Sequence, residues 1–425
     1  MRRRQYAVII PDGAGDRLRI EGRSPLAIAR TQAMDTIASR GFNGLLRTLD
    51  PELPRGSLVA HLGLLGWDQR RYFPHGRASA ELLALGTVRL ESRDLAFRVN
   101  LVRFENRRLV SYNADAVTTP VARPLIERID GVLRREFPAI ELYHNLDFRA
   151  SLVVRDAGVD PRLLACPEPH ELRGLELDVE RLIRGGGEAE PLARLLNAYL
   201  RRAADLLRGE RSNRIMPWSP AVPLRLPSFA QTTGFTGQTA IVGAMDFLHG
   251  LAKAGGIDFH AVGNGRVDTD FRGKGACARA LLEAGCDFVV CHVNAPDEAA
   301  HMGDVRTKIH CLEELDREIV APLVRYFERW PERLGGLAVI PDHFTNVKAG
   351  GPRGDAHSLD PVPFAIWDGR RRDAVEQFHE GARGLDAGEP ASPRDFLFLL
   401  GVAGRTGRGP LREAAAGYAT AQTPP

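Results

Sequence analysis

Residues 337–345 read LAVIPDHFT, an apolar run that stops at Pro341 and delivers Asp342 and His343 side by side. Two further stretches share this grammar: YAVIIPDGAGD (6–16) and CDFVVCHVNAPDEAAH (286–301). Each opens with a short β-branched apolar run, breaks at Pro and presents an Asp. Runs of that kind, bounded by turn signals, predict strands buried on both faces of a parallel sheet. Between them, ARALLEAG (278–285) and KIHCLEELDREIVAPLVRYFERW (308–330) repeat apolar residues at spacings of three and four, the helical period. Alternating strands and helices predict an α/β fold, a central mostly parallel sheet flanked by helices. Ligands of such sheets bind beyond the carboxyl ends of the strands, where the three Asp residues fall.

Composition sets the outer limits. The chain has 425 residues, 44% hydrophobic and 26% charged, an ordinary globular profile whose length suits two domains or one with an insertion. A net charge of +3 offers no argument for a nucleic-acid or membrane partner. The basic residues are nearly all Arg; the four lysines are Lys253, Lys274, Lys308 and Lys348. The five cysteines form no CxxC pair, which points to a reducing, cytoplasmic compartment. The apolar run near the start is too short for a signal-peptide core or a membrane span.

The middle of the chain reads differently. RDLAFRVNLVRF and LDFRASLVVRD predict strands, PLARLLNAYLRRAADLLRG predicts a helix, and the Pro-rich IMPWSPAVPLRLPSF (215–229) reads as a joint. These features predict a discontinuous core, 1–90 with 226–402, interrupted by a smaller α+β domain over 91–225 that binds substrate or acts as a lid. A Gly/Ala/Pro-rich tail, 403–425, reads as flexible.

The candidate ligands are Asp12, Asp297, His301, Asp342, His343 and His357. Asp297 and His301 are spaced i and i+4, so a helix beginning near Pro296 would turn both toward one metal. Singly, an Asp after a strand is more often a cap or turn former, and a lone His a structural hydrogen-bonder. Three strands ending in Asp, two with a nearby His, are hard to explain as independent caps. Carboxylate and imidazole donors without thiolate suit Mn²⁺ or Zn²⁺ foremost, with Mg²⁺ or Co²⁺ also compatible. The donors suffice for two ions about 3.5–4 Å apart, the arrangement that clamps both oxygens in phosphoryl transfer. Ser57, in PRGSLVAHLGLLGWD, falls at a helix N-terminus, where a cap and a nucleophile are equally at home.

In its order of motifs the chain resembles the archaeal-type cofactor-independent phosphoglycerate mutases of the alkaline phosphatase superfamily. The resemblance is carried by VIIPDGAGD, GSLVAHLGLLGWD, GRASAELLALG, DTDFRGK, APDEAAHMGD, KIHCLEELDREIVAPL and IPDHFT…DAHSLDPVPF, from about residue 6 to 370. APDEAAHMGD and the PVPF ending are most similar to a bacterial subgroup proposed to act as homoserine kinases. The resemblance implies an alkaline phosphatase-like core and two divalent metal ions. Asp297, His301 and His357 would hold one ion; Asp12, Ser57, Asp342 and His343 would hold the other. Ser57 would accept the phosphoryl group, and Lys274 would lie beside the transferring oxygens. Arg77, Arg98 and Arg149 are candidates to bind the carboxylate of a small phosphorylated or phosphonylated substrate, since guanidinium matches carboxylate in a two-pronged contact.

Two departures bear on the substrate. The acidic residue that usually follows the nucleophilic serine is Leu58 here, and a proline of the GRA segment is Ser79. The leading expectation is interconversion of 3-phosphoglycerate and 2-phosphoglycerate. A second is phosphoryl or phosphonyl transfer to another acceptor, and a third, of another class, is a catalytically silent binding protein.

Overall fold

The computed structural model describes residues 4–86, 88–347, 356–381 and 392–404. The chain divides into two compact units, Met1–Tyr72 with Leu226–Pro425, and Phe73–Arg225.

The first unit is built on a seven-stranded sheet. From one edge to the other its strands are Asp258–Ala261, Thr239–Gly243, Phe288–Val293, Gln5–Pro11, Leu334–Val339, Val362–Trp367 and Phe42–Leu46. The first five are mutually parallel, and Val362–Trp367 runs against its neighbours on both sides. Every residue of Phe288–Val293 and Leu334–Val339 is buried, as continuous apolar runs require. Burying each Val, Ile or Leu contributes about 1.5–3 kcal/mol. In register, Ile9 lies beside both Cys291 and Val339. The three expected strands are therefore adjacent, and the residues that follow them leave the sheet at the same end. This is the α/β architecture the sequence predicts.

Helices Gln32–Arg40, Phe271–Glu283, Val305–Leu315 and Ala321–Arg329 supply Ile37, Leu282, Leu312 and Phe327 to a core shared with Ile9, Val289 and Leu337. The last two helices are joined by a π-helical turn, Asp316–Val320. Gly275 makes close passage there possible, because a Cβ would stand 2.0 Å from the Glu318 carbonyl oxygen. Helix Ser57–Leu64 is buried at all eight positions.

The second unit centres on the eleven-residue strand Leu95–Glu105, which pairs antiparallel with Arg108–Ser111, Arg149–Val154 and Arg214–Ala221. Helices Thr119–Leu133 and Glu190–Leu206 bury Ile126, Ile129, Leu196 and Leu200 in the same core. Two sequence readings change here. Part of the stretch read as a joint is a strand, with Pro217 opposite Val99; among the described residues no strand pairs on its other side, and proline is tolerated in an edge strand. Compact packing also places the first boundary after Tyr72, not after residue 90, because helix Ala78–Leu85 buries Ala78 and Leu82 against Ala96, Val153 and Ala221. From residue 405 onward the tail expected to be flexible lies outside the described residues.

Candidate functional site

Helix Ala295–His301 follows its strand after a single residue, with Pro296 in its first turn, where a missing N–H is tolerated. The i, i+4 spacing then brings His301 Nε2 within 3.4 Å of Asp297 Oδ2. His357 arrives from a two-residue ladder in which it pairs with Thr345. Its Nε2 lies 3.3 Å from Asp297 Oδ1 and 3.0 Å from His301 Nε2. Asp297, His301 and His357 thus present one ligand atom each, all within 4.8 Å of one another. Asp297 is buried and His301 remains half exposed, so this group is open on one side. Burial raises the Asp297 carboxyl, but the two imidazoles outweigh it and hold its pKa well below the ordinary value.

The second group lies at the ends of the neighbouring strands. Asp12, Asp342 and His343 are fully buried. His343 Nε2 is 3.5 Å from Asp12 Oδ1 and 3.4 Å from Asp342 Oδ2. Asp12, Asp297 and His343 again offer ligand atoms within 4.8 Å, so Asp297 belongs to both groups. Gly13, at φ 63°, turns its N–H to Asp342 Oδ1 at 3.0 Å. Ser57 Oγ stands 3.2 Å from His343 Nε2 and 3.4 Å from Asp12 Oδ2. The helix cap is Gly56, and Ser57 is the first residue inside the helix. Ser57 is therefore not the cap of this helix, and its hydroxyl faces the carboxylate–imidazole group.

Three buried carboxylates converging with imidazoles form a donor set suited to divalent cations. Without positive charge nearby, desolvation of so many carboxylates costs several kcal/mol apiece. Burial, the largest influence on Asp342, pushes its pKa up; His61 and the Gly13 N–H pull the other way.

Two histidines not foreseen from sequence back this group. His61 occupies the i+4 position from Ser57, and its Nδ1 lies 2.7 Å from the Ser57 carbonyl oxygen, which can only accept. His292 Nε2 lies 2.9 Å from Asp12 Oδ2, and burial depresses its pKa well below the ordinary value. A neutral ring there donates Nε2–H to the carboxylate and fixes its orientation. The spacing rule that found His301 could also have found His61; His292, inside a strand, carried no such signal. Lys274 is seated behind His292 and in neither ligand group. It is buried, donates to the His292 carbonyl oxygen at 3.3 Å, and has its pKa lowered by burial.

A family model for 2,3-bisphosphoglycerate-independent phosphoglycerate mutase matches residues 38–213. The 2,3-bisphosphoglycerate-independent phosphoglycerate mutase of Methanosarcina barkeri is 34% identical over 391 residues, covering 88% of this chain and 94% of that protein. The chain belongs to this mutase family. A probable mutase of the same name from Geobacter sulfurreducens is 34% identical over 386 residues, 86% of this chain and 91% of that one. The fold is shared with a Pyrococcus horikoshii protein at TM-score 0.72 and 24% identity, covering 96% of this chain and all of that one. A cofactor-independent phosphoglycerate mutase from Thermoplasma acidophilum shares it at TM-score 0.58 and 24% identity, over 93% and 98%.

In this mutase-family chain the three candidate arginines cluster within the second unit. Arg98 is partly buried, pairs with Glu81 at 2.9 Å and lies over the Trp218 ring at 4.1 Å. Burial lowers its pKa, Glu81 opposes the shift, and Arg77 and Arg149 add to it, so all three guanidinium groups share one neighbourhood. Arg149 itself stacks over Phe148 at 4.7 Å. Among the described residues of this family member, no helix is long and apolar enough to cross a membrane.

Proposed function

We propose that the chain interconverts 3-phosphoglycerate and 2-phosphoglycerate through a phosphoserine at Ser57, with two divalent metal ions in the ligand groups. The observation that carries this reading is Ser57 Oγ held between His343 Nε2 and Asp12 Oδ2 at a helix start whose cap is another residue. Membership of the mutase family supports the substrate. Asp297, His301 and His357 hold one ion, and Asp12, Ser57, Asp342 and His343 the other; Mn²⁺ or Zn²⁺ suits these donors. When bound, the ions supply a lowered serine pKa and a counter-charge for the phosphoryl oxygens.

Ser57 Oγ loses its proton and attacks phosphorus in line; the P–O bond to the glycerate breaks, and the departing oxygen takes up the proton given by the serine. The glycerate stays bound, presents its neighbouring hydroxyl to phospho-Ser57, and recovers the phosphoryl group, which regenerates the serine. Arg77, Arg98 and Arg149, clustered within the second unit, are the candidates for recognising a carboxylate. Lys274 contributes positive charge from behind His292.

Leu58 favours a second reading. It is buried directly after the nucleophile, where the resemblance implies a carboxylate, and its replacement suits a different acceptor. Phosphorus NMR of the Mn²⁺-loaded protein with 3-phosphoglycerate decides between the two. Appearance of 2-phosphoglycerate, lost by on the order of 10³-fold or more in Ser57→Ala, is the expected result. Serine-dependent release of phosphate alone means that the glycerate is not retained and favours the second reading. An unchanged spectrum with metal bound sinks the mutase assignment.

A further inference from the structure

Thr345 belongs to neither ligand group, yet it touches both. Its side chain is fully buried, with Oγ1 2.6 Å from Asp297 Oδ1 and 3.1 Å from His343 Nδ1. Its backbone is pinned on either side: the N–H donates to the Gly15 carbonyl at 3.1 Å, and the carbonyl accepts from Lys308 Nζ at 2.7 Å. Lys308 is itself buried and paired with Asp16 Oδ2 at 2.9 Å. The short ladder also sets Thr345 opposite His357.

Hydrogen-bond arithmetic then fixes the protons. A threonine hydroxyl has one proton to give and lone pairs to accept with, whereas an ionised carboxylate only accepts. The contact with Asp297 therefore consumes the hydroxyl proton. Toward His343 the same oxygen can only accept, which places the ring proton on Nδ1. His343 Nε2, which lies 3.2 Å from Ser57 Oγ, 3.5 Å from Asp12 Oδ1 and 3.4 Å from Asp342 Oδ2, is then the ring nitrogen that would bind an ion.

We infer that Thr345 is the positioning residue that couples the two ligand groups, its single hydroxyl orienting Asp297 in one and setting the His343 tautomer in the other. The inference rests on the proposed two-metal reading and deepens it. Two ions seated this way do not bind independently, because one hydroxyl braces a ligand of each.

The test titrates Mn²⁺ alone into metal-free wild type, Thr345→Val and Thr345→Ser, following heat. Wild type is expected to take two ions. Valine, nearly the same shape, weakens both steps by about 10–100-fold, the usual cost of losing such a supporting contact, and serine recovers most of that loss. Nitrogen-15 NMR of the Zn²⁺-loaded wild type reads the tautomer without any variant, and a proton on His343 Nδ1 is expected. Unchanged affinity for both ions in Thr345→Val overturns the coupling, as does a metal-bound Nδ1 on His343. If wild type itself takes fewer than two ions, the two-metal reading falls and the coupling falls with it.

Discussion

Ser57 shows how much a single position depends on its neighbour. Gly56 takes the cap, which releases the serine hydroxyl toward Asp12 and His343 instead of its own backbone. Gly13 is equally specific. Its φ of 63° lies in the left-handed region, and a Cβ there would meet Thr345 Oγ1 at 2.4 Å and Asp297 Oδ1 at 2.8 Å. Gly13→Ala is therefore expected to destabilise the fold by about 1–3 kcal/mol through backbone strain alone. It should also weaken Mn²⁺ binding, because Asp297 must move. Urea unfolding and a metal-binding isotherm on the same variant check both parts; wild-type behaviour in each would show that the turn relaxes freely. The acidic and imidazole candidates were legible because their side-chain chemistry is conspicuous at strand ends. Gly13 and Thr345, which make no ligand bond of their own, were not.

At the scale of elements, two long-range contacts hold the helices around the site. Lys308, on Val305–Leu315, places its ammonium among the Gly15 carbonyl, the Thr345 carbonyl and Asp16, with no exposure on either partner of the pair. Lys308→Met leaves the Asp16 carboxylate buried without its cation and is expected to cost about 3–5 kcal/mol. The Asp16→Asn/Lys308→Met double variant should recover part of that in chemical denaturation; strictly additive losses would mean that the pair is not coupled. Asp316, in the π-helical turn, accepts the Ala33 and Met34 N–H groups at the start of helix Gln32–Arg40. Burial raises its pKa from 3.8 to about 6. The native state thus holds this proton more tightly than the unfolded chain does. Its contribution is fully present below about pH 4 and lost as pH rises through about 6, on the order of 3 kcal/mol at most. Asp316→Asn should flatten that part of the stability–pH curve. An unchanged slope from pH 4 to 7 would assign the titration elsewhere.

For the molecule as a whole, metal should act as a stabiliser of the native state. An ion that binds only the folded protein at about 100 times its dissociation constant adds about 2.7 kcal/mol per site. Chelation is expected to lower the unfolding temperature of the first unit by several degrees, and Mn²⁺ or Zn²⁺ to restore it. Calorimetric scans before and after chelation measure this directly, and coincident scans would argue against resident metal.

By itself the sequence determined the α/β class, the three Asp-ending strands, the i, i+4 pairing of Asp297 with His301, and the set of candidate ligands. These follow from local periodicity and side-chain chemistry, which short stretches of chain carry in full. Tertiary structure alone decided that the three strands lie side by side, that Asp297 serves both groups, and that Gly56 rather than Ser57 caps its helix. It also turned the Pro-rich 215–221 stretch into a strand and moved the first boundary to Tyr72. The physical reason is the same in each case. Strand order, shared ligands and edge positions are set by contacts between residues tens to hundreds of positions apart, such as Thr345 with Asp297 and His292 with Asp12. No local pattern encodes which distant partner a buried hydroxyl or imidazole will find.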